Sequence, residues 1–161
     1  LEDTDLNFSL ETIKQELAPS LEEKNATIEA GILPTLNVIP FQIQQLFTNL
    51  IGNSLKYSKP NIPPVIKISC EKIIAKDYPI LKMDTLKEYY KISFTDNGIG
   101  FEQEYAENIF ILFHRLHHIT EYPGTGIGLA ICKKIVENHS GFIKAEGRPG
   151  IGSTFSVFLP A

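Results

Sequence analysis

What the chain has little of narrows it first. Cysteine occurs only at Cys70 and Cys132, with no paired spacing and no histidine arrangement beside either. That excludes a disulfide framework and a zinc site and leaves two reduced thiols. No apolar run approaches the roughly 20 residues a membrane helix needs, and no secretory leader opens the chain. Positive charge is not in surplus: the formal net charge of −4 argues against a general nucleic-acid or anionic-membrane surface, though a local group of lysines can still meet phosphates. Internal repeats and low-complexity tracts are missing too. The chain opens at Leu1 rather than Met, so a piece cut from a longer protein is expected, and membrane attachment of the parent stays open. What is present is 161 residues, 43% of them hydrophobic, which is the size and composition of one domain with a real core.

The rest of the chain is organised around Phe41 to Tyr57, FQIQQLFTNLIGNSLKY. On a helix, Gln42, Gln45, Asn49, Asn53 and Lys56 fall within an arc of roughly 80°. Ile43, Leu46, Phe47, Leu50, Ile51 and Leu55 cover most of the remaining circumference. A largely buried helix carrying a ridge of amides needs partners for them. Two uses fit: a solvated strip, or a ridge facing a ligand, on which Asn53 offers a carbonyl oxygen to a hard cation such as Mg²⁺.

Taken in order, Asp5 to Phe8 reads as a short extended lead-in, and Ser9 caps a helix to about Glu23 that Pro19 kinks or interrupts. Thr27 to Ile32 reads as a strand, followed by a turn-rich linker to Val38, and Pro40 suits the first turn of the central helix. Val65 to Ile73 alternates as a strand, whereas 72–88 is charged and irregular, a surface hairpin or loop. Tyr90 to Asp96 is a clear strand with Tyr90, Ile92, Phe94 and Asp96 on one face, so a carboxylate ends the apolar face. A short helix is expected over 103–113, a longer one from the Gly124–Gly128 run through Asn138, and two closing strands over 142–146 and 153–159. The last two strands form a hairpin, so the sheet should be mixed, with helices on one face.

Three glycine-bearing segments stand apart from one another: Asp96-Asn-Gly-Ile-Gly100, Gly124-Thr-Gly-Ile-Gly128 and Gly150-Ile-Gly-Ser-Thr154. The second runs into a helix, whose unpaired N–H groups and dipole favour phosphate. It is not a Walker loop, because no Gly-Lys-Ser/Thr follows, and no strand immediately precedes it as a dinucleotide fingerprint requires. Asp96 has two readings. It is a turn former, or a carboxylate at a pocket floor that accepts from an exocyclic amine and so selects adenine over guanine, which presents a carbonyl there.

With these residues in place the chain resembles the catalytic, ATP-binding domain of bacterial sensor histidine kinases, within the Bergerat-fold ATPase superfamily. Asn49-Leu-Ile-Gly-Asn53-Ser-Leu-Lys-Tyr-Ser58 resembles the N box, Asp96–Gly100 the first glycine box, Phe110–Phe113 the F box, and Gly124–Gly128 and Gly150–Gly152 the remaining two. The stretch from Phe113-His-Arg-Leu-His117 to Glu121-Tyr-Pro-Gly-Thr-Gly is similar to the short lid of phytochrome-like sensor kinases.

The resemblance implies one domain over 1–161: an α/β two-layer sandwich, its mixed sheet backed by three helices, with ATP and Mg²⁺ under a lid at about 101–123. Residue by residue, it implies Asn53 as the Mg²⁺ ligand, Asn49 along the triphosphate, Lys56 and Tyr57 at phosphates, and Asp96 on adenine. Gly98 and Gly100 would shape the base pocket. Gly124, Thr125, Gly126, Gly128 and Leu129 would line the phosphate side, Thr154 would complete the pocket, and Arg115 would approach the γ-phosphate. Asn49, Lys56 and Arg115 are the implied catalytic group. Ser54 stands where alanine is usual, and Leu112 where the F box commonly has proline.

None of the histidines His114, His117, His118 and His139 has an acidic residue and a Leu-Arg run behind it, so none is an acceptor. The implied partners are a histidine-bearing dimerisation domain of the parent and the receiver domain of a response regulator, in the cytoplasm, with a dimeric parent and a monomeric piece. In hydrolysing members such as gyrase, a glutamate stands four residues before the metal-binding asparagine; here that position is Asn49, which suits a kinase. A serine kinase of the anti-sigma-factor type and a degenerate docking module are the competing readings.

Overall fold

Period-two alternation builds one large sheet, and a helical layer covers one of its faces. The computed structural model describes residues 1–79, 85–111 and 127–161. Its elements run β1 (Glu2–Asp5), α1 (Leu6–Glu16), α2 (Ala18–Glu23), β2 (Thr27–Ala30), β3 (Thr35–Val38), α3 (Pro40–Lys56), β4 (Val65–Ile74), β5 (Glu88–Asp96), α4 (Gly128–Asn138), β6 (Phe142–Arg148) and β7 (Gly152–Pro160). The five-stranded sheet has the order β2-β4-β5-β7-β6. Only β2 and β4 pair in parallel, because β3 and α3 lie between them in the chain and carry it back; the other pairs are antiparallel. The expected mixed sheet and two-layer sandwich are therefore present.

The wide apolar face of α3 is why it lies at the centre. Ile43, Leu46, Phe47, Leu50, Ile51 and Leu55 are all buried, each worth roughly 1.5–3 kcal/mol over an exposed position. Opposite them β5 presents Ile92 and Phe94, and the Phe47 and Phe94 rings sit 5.5 Å apart in a tilted contact. Leu6, Leu10 and Ile13 of α1 and Cys132, Ile135 and Val136 of α4 join the same core from either side.

Several local expectations change. Asp5, not Ser9, caps α1: its Oδ1 accepts from the Asn7 N–H at 2.9 Å, and Ser9 is buried one turn later. Both are capping residue types, and the helix starts at the first of them. Pro19 breaks the helical run as expected, but by opening α2 rather than by kinking α1. The presumed linker contains β3, which pairs with β1 as a separate two-stranded sheet. Of the expected 103–113 helix, the described residues 103–111 hold two single 3₁₀ turns instead, Gln103–Tyr105 and Asn108–Phe110.

The charged 72–88 region is a hairpin whose strands continue to Ile74 and Glu88. Its 3₁₀ turn folds over the far face of the sheet, where Ile73, Ala75, Tyr89 and Phe158 form a second small core capped by Tyr78. At the β6 edge of the sheet, the Gln103 side chain accepts from the Gly147 N–H at 2.8 Å and donates to the Ala145 carbonyl at 3.4 Å.

His139 closes the helical layer. It follows α4, where Nδ1–H donates to the Ile135 carbonyl at 2.7 Å while Nε2 accepts from the Ile39 N–H at 3.0 Å, at the head of α3. One imidazole thus joins the end of α4 to the start of α3 and fills an orphan helix-start donor. His139→Ala leaves that buried N–H unpaired and should cost about 1–3 kcal/mol, read as a lower urea midpoint. A midpoint unchanged from wild type would show that the join is dispensable.

Candidate functional site

The site gathers where the C-terminal half of α3 meets the end of β5. Because β5 alternates, Asp96 lies on the same face as Ile92 and Phe94 and is 8% exposed. A carboxylate so placed needs donors, and three converge. Ser54 Oγ on α3 donates to Oδ2 at 2.8 Å. The Gly98 and Ser153 N–H groups donate to Oδ1 at 2.9 and 3.2 Å. Burial nonetheless dominates and raises the carboxyl above its ordinary range, against the pull of those donors and of the Arg148 guanidinium on β6.

The walls are backbone packed against backbone. A Cβ on Gly98 would stand 2.6 Å from the Tyr57 carbonyl at the end of α3, and the Ile99 N–H donates to that carbonyl at 3.0 Å. Gly100, at φ +69°, presses on the Arg148 carbonyl, where a side chain has no room. The Gly150 N–H donates to the Ile99 carbonyl at 2.8 Å, so the first and third glycine segments form one interlocked wall. Asn97 anchors it to the sheet, accepting from the Val65 N–H at 2.9 Å and donating to the Pro63 carbonyl at 3.2 Å.

The polar ridge of α3 is divided between two uses. Its N-terminal part faces α4: the Gln42 side-chain oxygen accepts from Asn138 at 3.3 Å, and Asn49 donates to the Gly128 carbonyl at 3.4 Å. Asn49 also reaches the sulfur of Cys132, a thiol that burial pushes up to about 12. Further along, Asn53 is half-buried and makes no side-chain hydrogen bond among the described residues. The Lys56 ammonium sits 5.2 Å from the centre of the Tyr57 ring. Gly128 opens α4, whose first N–H groups have no side-chain cap among the described residues, and Leu129 beside it is partly buried against the core.

The structure therefore brings Asn49, Asn53, Lys56, Tyr57, Asp96, Gly98, Gly100, Gly128 and Leu129 to one end of the helical layer. Arg115, Gly124, Thr125 and Gly126, most of the lid and three of the four histidines lie outside the described residues. Thr154 stands apart from this group. It is one position past Ser153, which stands opposite Asp96, so its side chain is on the far face of the sheet. There it meets Thr95 Oγ1 at 3.1 Å and accepts from Arg148 at 3.1 Å. Strand parity gives the pocket position to Ser153. Sequence reasoning missed Ser153, Asn97 and the bond from Ser54; the first two needed the strand pairing and the third the angle between α3 and β5.

Comparison with known proteins follows the same geometry. The family model described as histidine kinase-, DNA gyrase B-, and HSP90-like ATPase matches residues 39–161. The chain is 38% identical over 157 residues to phytochrome-like protein Cph1 of Synechocystis, covering 98% of this chain and 19% of that protein. It is 30% identical over 161 residues to the adaptive-response sensory kinase SasA of a Synechococcus, covering 98% of this chain and 39% of that one. Among solved structures, the mycobacterial sensor histidine kinase MprB superposes with a TM-score of 0.76 at 19% identity, over 99% of this chain and 96% of that one. The chain thus spans only about a fifth of the phytochrome-like relative it matches.

The raised carboxyl of Asp96 has a stability consequence. With the folded value above the unfolded one, the native state binds the proton more tightly. Its contribution to stability is greatest below the ordinary aspartate value and is lost as pH rises through the raised value. Asp96→Asn keeps an oxygen for Gly98 and Ser153 and offers an N–H to Ser54. Without ligand it should melt at the same or a higher temperature than wild type at pH 7.5, and the difference should shrink at pH 4. A lower melting temperature at pH 7.5 would mean that the charge itself holds the fold.

Proposed function

Because the chain belongs to the histidine kinase-, DNA gyrase B- and HSP90-like ATPases, we propose that it is the nucleotide-binding part of a two-component sensor kinase. It binds Mg²⁺–ATP and presents the γ-phosphate to a histidine on a dimerisation domain of its parent. The phosphoryl then passes to an aspartate in a receiver domain of a response regulator. The observation that carries the reading is Asp96: a buried carboxylate on an otherwise apolar strand face, its three donors leaving acceptor capacity for one more N–H. An exocyclic adenine amine supplies that N–H, and a guanine carbonyl does not.

On this reading Lys56 and Tyr57 meet the phosphates, the start of α4 at Gly128 adds backbone N–H groups, and Leu129 packs beside them. Gly124, Thr125, Gly126 and Arg115 act from the lid side. Magnesium fits the residues present. It takes oxygen ligands, is commonly held by one or two protein groups plus phosphates and water, and Asn53 carries an amide oxygen with no partner among the described residues. Bound there, the ion would neutralise phosphate charge.

The chain's own residues position ATP and stabilise charge, while the acceptor imidazole brings the nucleophile: its nitrogen bonds to phosphorus as the bond to the bridging oxygen breaks and ADP leaves. Asn49 faces Gly128 and Cys132 as an amide with no basicity to activate water, so hydrolysis lacks help worth about 10²–10⁴-fold. Among the described residues no helix is long and apolar enough to cross a membrane. We place the domain in the cytoplasm, monomeric by itself and paired through its parent.

Two experiments test this. Calorimetry should show Mg²⁺-dependent binding of ATP and far weaker binding of GTP, the preference falling away in Asp96→Asn; equal affinity for the two nucleotides would remove the assignment. Incubated with γ-labelled ATP, the chain alone should neither label itself nor release phosphate appreciably, and adding the parent's dimerisation domain should produce phosphohistidine on that domain. Phosphate release at the rate of a working ATPase, lost in Asn53→Ala, would turn the reading to a hydrolase.

A further inference from the structure

The two oxygens of Asp96 are held by different kinds of donor. Oδ1 takes backbone N–H groups from Gly98 and Ser153, donors that belong to the main chain and not to a side chain. Oδ2 takes Ser54 Oγ at 2.8 Å, on a side chain that is 2% exposed. We propose that Ser54 is a positioning residue for base recognition: its hydroxyl keeps Asp96 an acceptor towards the base, and so sets how strongly an amine is preferred over a carbonyl there. The inference rests on the nucleotide-binding reading above.

The argument turns on what a serine hydroxyl can do and an alanine methyl cannot. To admit a base with a carbonyl at that edge, Asp96 has to donate, and it can donate only when protonated. Burial already pushes it that way; Ser54 from α3, the Gly98 and Ser153 N–H groups from the loop and β7, and the Arg148 charge from β6 pull back. Ser54 acts in both protonation states. Towards an ionised carboxylate it donates. Towards a carboxyl protonated on Oδ2 the same hydroxyl rotates and accepts, drawing the proton to α3 and away from the base. Without it, a protonated Asp96 has its O–H available to the ligand.

The test compares ADP with inosine 5′-diphosphate, which differ in the amine or carbonyl that faces Asp96. Affinities are measured for wild type, Ser54→Ala and Ser54→Cys at pH 7.5 and 6.0, with circular dichroism to establish folding. Wild type should prefer ADP at both values. In Ser54→Ala the ADP-to-IDP ratio should fall roughly 3- to 10-fold, about the worth of one hydrogen bond, and fall further at pH 6.0. A merely structural role would weaken both ligands alike and leave the ratio and its pH dependence unmoved. Ser54→Cys, nearly isosteric with a weaker donor, should lie between, and carries the test alone if alanine unfolds the chain. A wild type that prefers ADP beside a variant with the same ratio at both pH values would overturn the role of Ser54 only. A wild type that binds neither nucleotide would overturn the nucleotide reading as well.

Discussion

Taking a carboxylate out of water is costly unless donors replace the water, and the region around Asp96 is arranged by that requirement. The donors arrive from three separate pieces of chain: α3 through Ser54, the turn after β5 through Gly98, and the start of β7 through Ser153. Each can reach only if its neighbours pack closely, hence the glycine against the Tyr57 carbonyl and the loops tied through Ile99 and Gly150. Burial still outweighs the donors, as the raised carboxyl shows. With three donors on its two oxygens, the carboxylate keeps room for one more.

The central helix answers two demands at once. Its apolar circumference anchors it to the sheet, while the narrow polar ridge is shared between a neighbouring helix and the site. Asn49 and Gln42 bond to that helix, whereas Asn53, on the same stripe, makes no side-chain hydrogen bond among the described residues. α4 begins at Gly128, level with Asn49, so the turn of α3 that holds Asn53 lies beyond the start of that helix.

Much of this was legible in the sequence because period and composition act locally. The buried set of α3, the apolar face of β5 and the place of Asp96 at its end all follow from counting residues on a helix or a strand. What could not be read depends on pairing between distant segments. Thr154 and Ser153 differ by one position, and only the register with β5 says which shares a face with Asp96. Ser54 looked like a small-for-small exchange until the approach of α3 to β5 put its hydroxyl on a carboxylate. The pairing of β1 with β3 joins segments about thirty residues apart and too short to announce themselves as strands.

The side chain of Gln103 has a wider consequence. Bonded to the Gly147 N–H and the Ala145 carbonyl, it reproduces with one amide the pair of bonds that another strand would make to β6. A bare edge of a sheet is a template on which a second molecule can add its own backbone, the first step towards aggregation. At the other margin β2 is only four residues long and offers little to copy. At the remaining margin a side-chain amide takes, between Ala145 and Gly147, the place of a neighbouring backbone.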